Sequence, residues 1–307
     1  MKKICVIGSL NIDMVANVEH LPVPGETITA SSFFTCNGGK GANQAVAAAR
    51  LGAEVSMVGK LGNDAYGSMY IESLKGININ CDCIGIEKDI SSGIALIEVD
   101  KESENRIIII PGANKKVTID FIKEVWDKII VNDIFLLQLE IPIDTVIYTI
   151  KRLKEAGKTV ILDPAPAVKL PDDIFGYIDY ITPNETELQV VAGIDGAGGA
   201  SGSFLETAGT LIGKGAKCII FKAGKNGAYI INKDGHKHIP GFKVVPVDTT
   251  GAGDSFNAGF AFALAKGMEL EECVRFANAV GALSTTAAGA QSAMPSYDEV
   301  VGFMNKI

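Results

Sequence analysis

The residues best suited to chemistry lie in Asp248-Thr249-Thr250-Gly251-Ala252-Gly253-Asp254-Ser255-Phe256. The run follows a strand-like stretch, Val244 to Val247, and precedes a long apolar segment, so a helix is expected to start near Asp254. A helix start carries unpaired N–H groups and the positive end of the dipole. Gly251, Ala252 and Gly253 have no bulk to keep an anion from that backbone, and a phosphoryl group is the natural guest. A carboxylate beside such a site repels the anion unless it takes a proton from an attacking hydroxyl, which makes Asp254 a candidate general base. The competing reading is that Asp254 caps the helix, and for an isolated Gly-x-Gly-Asp that reading is the stronger.

Further polar groups collect where strands end. Lys3 to Gly8 reads as a buried strand, and Asn11 and Asp13 follow at alternate positions facing one way. Asn37-Gly38-Gly39-Lys40-Gly41-Ala42-Asn43 opens an alanine-rich helix through Arg50 that Gly52 closes. The P-loop spacing is absent there, and Lys40 with Asn43 offers donors suited to the hydroxyls of a sugar-like ligand. Gln138-Leu139-Glu140, Asp163-Pro164-Ala165-Pro166 and Thr182-Pro183-Asn184-Glu185-Thr186-Glu187 all end strands at one sheet edge. Singly, Glu140 reads as a surface carboxylate or cap, and Asn184 with Glu187 as a reciprocal N-cap pair. Gly224 and Gly227, in the turn after Phe221-Lys222, suit the border of a nucleotide.

The elements that must position these groups follow a regular order from Thr118 onward. Helices are expected at 118–129, 144–156, 184–192 and 203–214, with strands at 134–139, 159–163, 178–181 and 217–221. That alternation predicts an α/β fold with a doubly wound, mostly parallel sheet, finished by helices near 252–266, 270–285 and 296–305. Upstream, 54–61 reads as a strand and 66–75 as a helix, while 14–34 and 92–110 read as β excursions from the main sheet. The apolar runs Ile94 to Val99 and Ile107 to Ile110 then need a cover, either ligand or a second chain, unless they are core strands. Gly193 to Gly202 lacks a preceding strand, fails the dinucleotide-binding test and reads as a flexible connection. With no internal repeat and no second core, the expectation is a single domain over 1–307.

Composition narrows the function classes. The 307 residues are 47% hydrophobic, enough for a large core. A net charge of −8 without a dense Lys/Arg block argues against nucleic-acid binding. Cys5, Cys36, Cys81, Cys83, Cys218 and Cys273 form no C-x-x-C pair, which disfavours zinc and suits core thiols in a reducing cytosol. No signal-peptide pattern or membrane span is evident, so a cytoplasmic protein without membrane partners is expected.

Taken together, Gly8-Ser9-Leu10-Asn11-Ile12-Asp13, Gly38-Gly39-Lys40-Gly41-Ala42-Asn43-Gln44-Ala45, Asn184-Glu185-Thr186-Glu187 and Asp248 to Asp254 resemble the ribokinase family of sugar kinases, from Gly8 to Gln291. The resemblance implies a doubly wound α/β domain with a small β lid from about 12–36 and 92–111. It implies transfer of the γ-phosphoryl of ATP, with Mg²⁺, to the primary 5-hydroxyl of a pentose such as D-ribose. Related kinases of deoxyribose, fructose or a nucleoside, and a non-catalytic sugar sensor, are the alternatives. By the same resemblance Asn11, Asp13, Gly39, Lys40, Asn43 and Glu140 hold the sugar, with Ala95, Ile97 and Ile109 on the apolar lid side. Asn184, Glu187, Lys222, Gly224, Gly227, Gly253 and Asn278 belong to the nucleotide side; the chain departs from the family at 222, usually a hydroxyl residue, and at 278, usually His. Asp248, Thr250, Ser284, Ala287 and Gly289 map to a K⁺ loop in which Ala293 replaces the usual serine. A homodimer through the lid is expected too, because two clasped lids would cover the apolar runs Ile94 to Val99 and Ile107 to Ile110.

Overall fold

The computed structural model describes residues 1–102, 104–194 and 203–306. The main sheet has nine strands in the order β13-β12-β11-β10-β9-β8-β1-β4-β5. They are β1 (Ile4–Ile7), β4 (Val55–Gly62), β5 (Asn80–Glu87), β8 (Ile134–Leu137), β9 (Thr159–Leu162), β10 (Tyr180–Ile181), β11 (Cys218–Lys222), β12 (Gly227–Asn232) and β13 (Gly235–Pro240). All pairings from β5 to β11 are parallel, and β11-β12-β13 run antiparallel. Parallel neighbours need crossovers, and the helices supplying them cover both faces.

Central β1 shows how the two faces are built. Ile4 and Val6 enter one core with α1 (Lys40–Arg50), α2 (Ala65–Gly76), α7 (Ala252–Ala265), α8 (Leu270–Ser284) and α9 (Tyr297–Met304). Cys5 and Ile7 enter the other with α3 (Ile119–Ile129), α4 (Ile143–Glu155), α5 (Glu185–Ala192) and α6 (Phe204–Gly213). The period of two thus runs through a strand with no polar alternation, because both sides are buried.

β2 (Asn11–Asn17), β3 (Ser32–Gly38), β6 (Gly93–Val99) and β7 (Asn105–Ile110) form a separate sheet in the order β3-β2-β6-β7. It is mixed, since β2 and β6 are parallel. The core-strand reading of Ile107 to Ile110 is corrected here: β7 is an edge strand, and Ile107, Ile108 and Ile109 are 52%, 64% and 47% exposed. Phe33, Phe34 and Leu96 are exposed beside them.

Other expectations are adjusted locally. Val244 to Val247 is not a strand: among the described residues no strand pairs with it, and Val245 and Val247 face solvent. β5 was not anticipated, and β10 is two residues long rather than four. Gly193 ends α5 in the left-handed conformation at φ 80°. The flexible connection expected after it lies, from 195 to 202, outside the described residues.

Candidate active site

Two glycine-led helix starts meet above the C-terminal ends of β1, β8 and β9. Gly39 is the N-cap of α1 at φ 88°, and a Cβ there would stand 2.7 Å from the Asn11 nitrogen. Only glycine satisfies both the dihedral and the contact. Gly41 packs as tightly on Gly8 and Ser9, which brings α1 against the end of β1. Glu140 then accepts from the Ser9 hydroxyl and from the Lys40 N–H at 3.0 Å, so this carboxylate is a shared anchor rather than a surface group. Asn11 is buried with its Oδ1 accepting from Asn114 Nδ2 at 2.7 Å. In the small sheet, Asp13 shares a cross-strand row with Cys36, Ala95 and Ile109, and Ile97 lies on the same face in the next row. Burial, then repulsion from Glu140 and Asp254, pushes Asp13 up to about 7. Asn11, Asp13, Gly39, Lys40, Asn43 and Glu140 therefore lie together at one end of β1.

Gly251 caps α7 at φ 74° with no side-chain capping bond. Asp254 is consequently not the helix cap. Its carboxylate is buried and accepts Asn43 Nδ2 at 3.0 Å on Oδ2 and Gln44 Nε2 at 3.1 Å on Oδ1. Burial raises its pKa; Lys40 and the two amides oppose this and Asp163 adds to it, for a value of about 6. For Lys40, burial disfavours the charge, yet Asp254, Asp163, Glu140 and Glu187 outweigh it and hold the ammonium above its ordinary pKa. One part of the expected anion hole changes: the Ala252 N–H turns back to Thr249 O at 3.2 Å. Among the described residues no carbonyl or side chain takes the N–H groups of Gly253 and Asp254, so these are the donors open to a ligand.

Lys222, at the end of β11, lies across from that helix start. A Cβ on Gly253 would be 3.7 Å from its Nζ, which pairs with Asp163 Oδ1 at 3.0 Å and with Glu187 Oε2 at 3.7 Å. Burial lowers its pKa, but Asp163 and Glu187 more than restore it, so the ammonium stays charged. A groove of about 650 Å³ runs past Asn184, Lys222, Gly224, Tyr229 and His238. Asn184, which lines it, forms the reciprocal capping box of α5 with Glu187. Gly227, at φ 94°, presses on the Ile239 carbonyl. Asn278 spends its amide donors on the Ile239 and Pro240 carbonyls, tying α8 to β13.

Asp248 fastens two loops, accepting the Thr250 N–H at 2.9 Å and the Gly289 N–H at 2.8 Å. Burial tends to raise its pKa, and the bonds from Thr250 and Gly289 overcome this and hold it low. Ser284 is buried at the end of α8, and the Ser292 hydroxyl donates to Ala288 O at 2.9 Å, beside Ala287 and Gly289. A single ionised carboxylate suits a hard monovalent cation better than a transition metal. Among the described residues no cluster of three His, Cys, Asp or Glu side chains exists for the latter.

The structure adds partners that the motifs alone did not assign. Gln44, Gln138 and Asp163 are buried beside Asp254, and Tyr70 and Gln291 hold Gly38 and Asn43 from behind. In the sequence Asp163 and Gln138 stand out only as strand ends, and Gln44 only as a member of the Gly38 to Ala45 motif. Asn114 lies in a short turn with no local signal.

Comparison with known proteins accounts for this combination. The sequence pattern of "pfkB family carbohydrate kinase" matches residues 1–297. A ribokinase of Bacillus subtilis is 40% identical over 300 residues, covering 98% of each chain. The structure superposes on a ribokinase from Thermotoga maritima with a TM-score of 0.92 at 41% identity, covering 99% of this chain and 100% of that one. It also superposes on the Arabidopsis thaliana ribokinase complexed with ribose and ATP, with a TM-score of 0.88 at 34% identity, covering 99% and 98%. With a nine-stranded doubly wound sheet, a separate four-stranded sheet, two glycine-led helix starts meeting at one buried aspartate and the family match over residues 1–297, this chain belongs to the pfkB family of carbohydrate kinases.

Proposed function

We propose that this protein transfers the γ-phosphoryl group of ATP to the primary 5-hydroxyl of D-ribose, giving ribose 5-phosphate. The observation that carries the reading is Asp254: a buried carboxylate held by Asn43 and Gln44, with its pKa near 6, between the sugar-facing groups and the α7 N-terminus. On this reading Asp254 accepts the proton of the attacking hydroxyl. Gly253 with its neighbours Gly251 and Ala252, together with Lys222, stabilises charge on the transferring phosphoryl. Asn11, Asp13, Gly39, Lys40, Asn43 and Glu140 bind the sugar, and a site that pairs each hydroxyl rejects analogues leaving a partner unpaired. Asn184, Glu187, Gly224, Gly227 and Asn278 border the nucleotide. Mg²⁺ accompanies the phosphates of ATP and neutralises their charge. Asp248, Thr250, Ser284, Ala287 and Gly289 would hold K⁺ in their loops.

Two copies clasp through their lid sheets, covering Phe34, Ile107 and Ile109 on the Asp13 face. The setting is the cytoplasm, where ATP is abundant; no helix among the described residues is long and apolar enough to cross a membrane. A panel of ribose, deoxyribose, fructose and a nucleoside, scored by kcat/KM with ATP and Mg²⁺, tests the substrate. Ribose is expected to lead fructose by 10-fold or more, since one unmatched hydrogen bond costs about 1–3 kcal/mol. Equal turnover of fructose defeats the ribose reading, and binding of ribose without turnover of any sugar points to a sensor.

A further inference from the structure

Asp254 is gripped on its far side by a polar chain buried beneath the pocket. Gln44 is fully buried in the second turn of α1, and its Nε2 stands 3.1 Å from Asp254 Oδ1 and 2.9 Å from Asp163 Oδ2. A primary amide has two N–H donors, so both are committed to carboxylates. Its Oε1 accepts from Gln138 Nε2 at 2.6 Å. A flipped amide would set an oxygen against two carboxylates and an NH₂ against the NH₂ of Gln138, so the network has one orientation. Asp163, also buried, completes it by accepting Lys222 Nζ on Oδ1 at 3.0 Å.

We propose that Gln44 and Asp163 are a positioning pair for Asp254: Asp163 fixes the Gln44 amide, and that amide fixes Oδ1 of Asp254, leaving the Oδ2 edge beside Asn43 for the acceptor hydroxyl. The pair also sets the charge of the base in opposite directions. The Gln44 hydrogen bond favours the ionised carboxylate, and the negative charge of Asp163 disfavours it. Other charged groups facing Asp254 are Lys40 of α1 and Asp13 of β2, with Glu140 after β8 and Lys222 of β11 one contact further out. None of these hydrogen-bonds the Oδ1 edge that Gln44 holds.

The inference rests on Asp254 being the base, and the full-length protein tests the two separately. Gln44→Met keeps the volume and removes the donor; Asp163→Asn keeps the shape and removes the charge. With ribose and Mg-ATP, each is expected to lower kcat by about 10-fold or more while both KM values stay within about 3-fold, the pattern of a group acting at the transition state. The acid limb of kcat/KM should move to higher pH in Gln44→Met and to lower pH in Asp163→Asn. A purely structural role would lower the melting temperature and leave the limb in place. Should Asp163→Asn fail to fold with Lys222 deprived of its partner, the kcat loss and upward limb shift of Gln44→Met decide alone. Wild-type kcat in a folded variant, or a kcat loss with an unmoved limb, overturns the positioning pair. Asp254→Asn serves as reference: if it turns over normally the base assignment itself is wrong, whereas an inactive Asp254→Asn beside two fully active variants removes the pair alone.

Discussion

Asn43 and Asp254, 211 positions apart in the chain, share a 3.0 Å hydrogen bond from Nδ2 to Oδ2 in the interior of the protein. The bond joins the first turn of α1 to the first turn of α7, the two helices whose starts are opened by Gly39 and Gly251. The two helix starts are thereby linked at this carboxylate, and the same contact orients it. Five consequences can be measured.

Asp254→Asn is expected to fold and to keep its KM for ATP within a few-fold, while kcat falls by about 10²-fold or more, the scale of general-base loss. Since Asp254 makes no capping bond, its role as a cap predicts nothing further. Steady-state kinetics beside a thermal melt is the measurement, and near-normal kcat in a folded variant refutes the mechanism.

Activity should fall on the acid side as the base takes up its proton. Asp254 titrates near 6 and Asp13, its electrostatic neighbour, near 7, so the acid limb of kcat/KM reports both together and is expected between these values. The limb should fall with decreasing pH. A profile flat down to pH 5 would remove Asp254 as the base.

Asp13→Asn should separate stability from binding. The Asp13 carboxyl has its folded pKa raised from 3.8 to about 7, by burial first and then by Glu140 and Asp254. Between those values the folded state holds a proton that the unfolded chain has lost, so the contribution of Asp13 to stability declines as pH rises through that window. At pH 8 the wild type carries the full penalty. The variant is therefore expected to melt a few degrees higher at pH 8, about 1 kcal/mol being worth roughly 2–4 °C in a large domain. That gap should narrow toward pH 5, and the KM for ribose should rise about 10-fold. Equal melting temperatures at pH 8 would show that the charge is not penalised.

The lid face should carry the dimer. Ile107 lies in one row with Phe34, Val15 and Ile97, on the face that holds Asp13. Ile108 points to the opposite face with Leu96 and Met14. Ile107→Lys is expected to shift the mass measured by light scattering from dimer to monomer with little change in the melt, because the side chain is 52% exposed in the single chain. A wild-type monomer at micromolar concentration contradicts the arrangement.

Potassium should activate, more weakly or less selectively than in kinases with a serine where this chain has Ala293. Ser292 Oγ, turned toward the Ala288 carbonyl, is the nearby oxygen able to compensate. A rate gain of several-fold with K⁺ over a bulky organic cation is the expected outcome, abolished in Asp248→Asn. Rates indifferent to the cation would discard the site.

What was legible in the sequence had local causes. Gly39 and Gly251 need a positive φ that L side chains rarely adopt, so the two helix starts follow from residue type alone. The buried strands and amphipathic helices from Thr118 onward follow from apolar spacing over a few residues, and every one of those elements exists to within a few residues of its expected bounds. Failures came where the deciding contact was remote. Val244 to Val247 has the composition of a strand but, among the described residues, no strand to pair with, and composition left Ile107 to Ile110 open between a core strand and the small sheet at whose edge it lies. The pairing of Gln44 with Asp163 and Asp254 depends on β1, β8 and β9 lying side by side with α1 and α7 packed above them. Local sequence selects a helix or a strand because backbone dihedrals and side-chain period are short-range properties. Which carboxylates end within hydrogen-bond reach of one amide is decided by the order of the sheet, and only folding brings together side chains that the chain keeps more than a hundred residues apart.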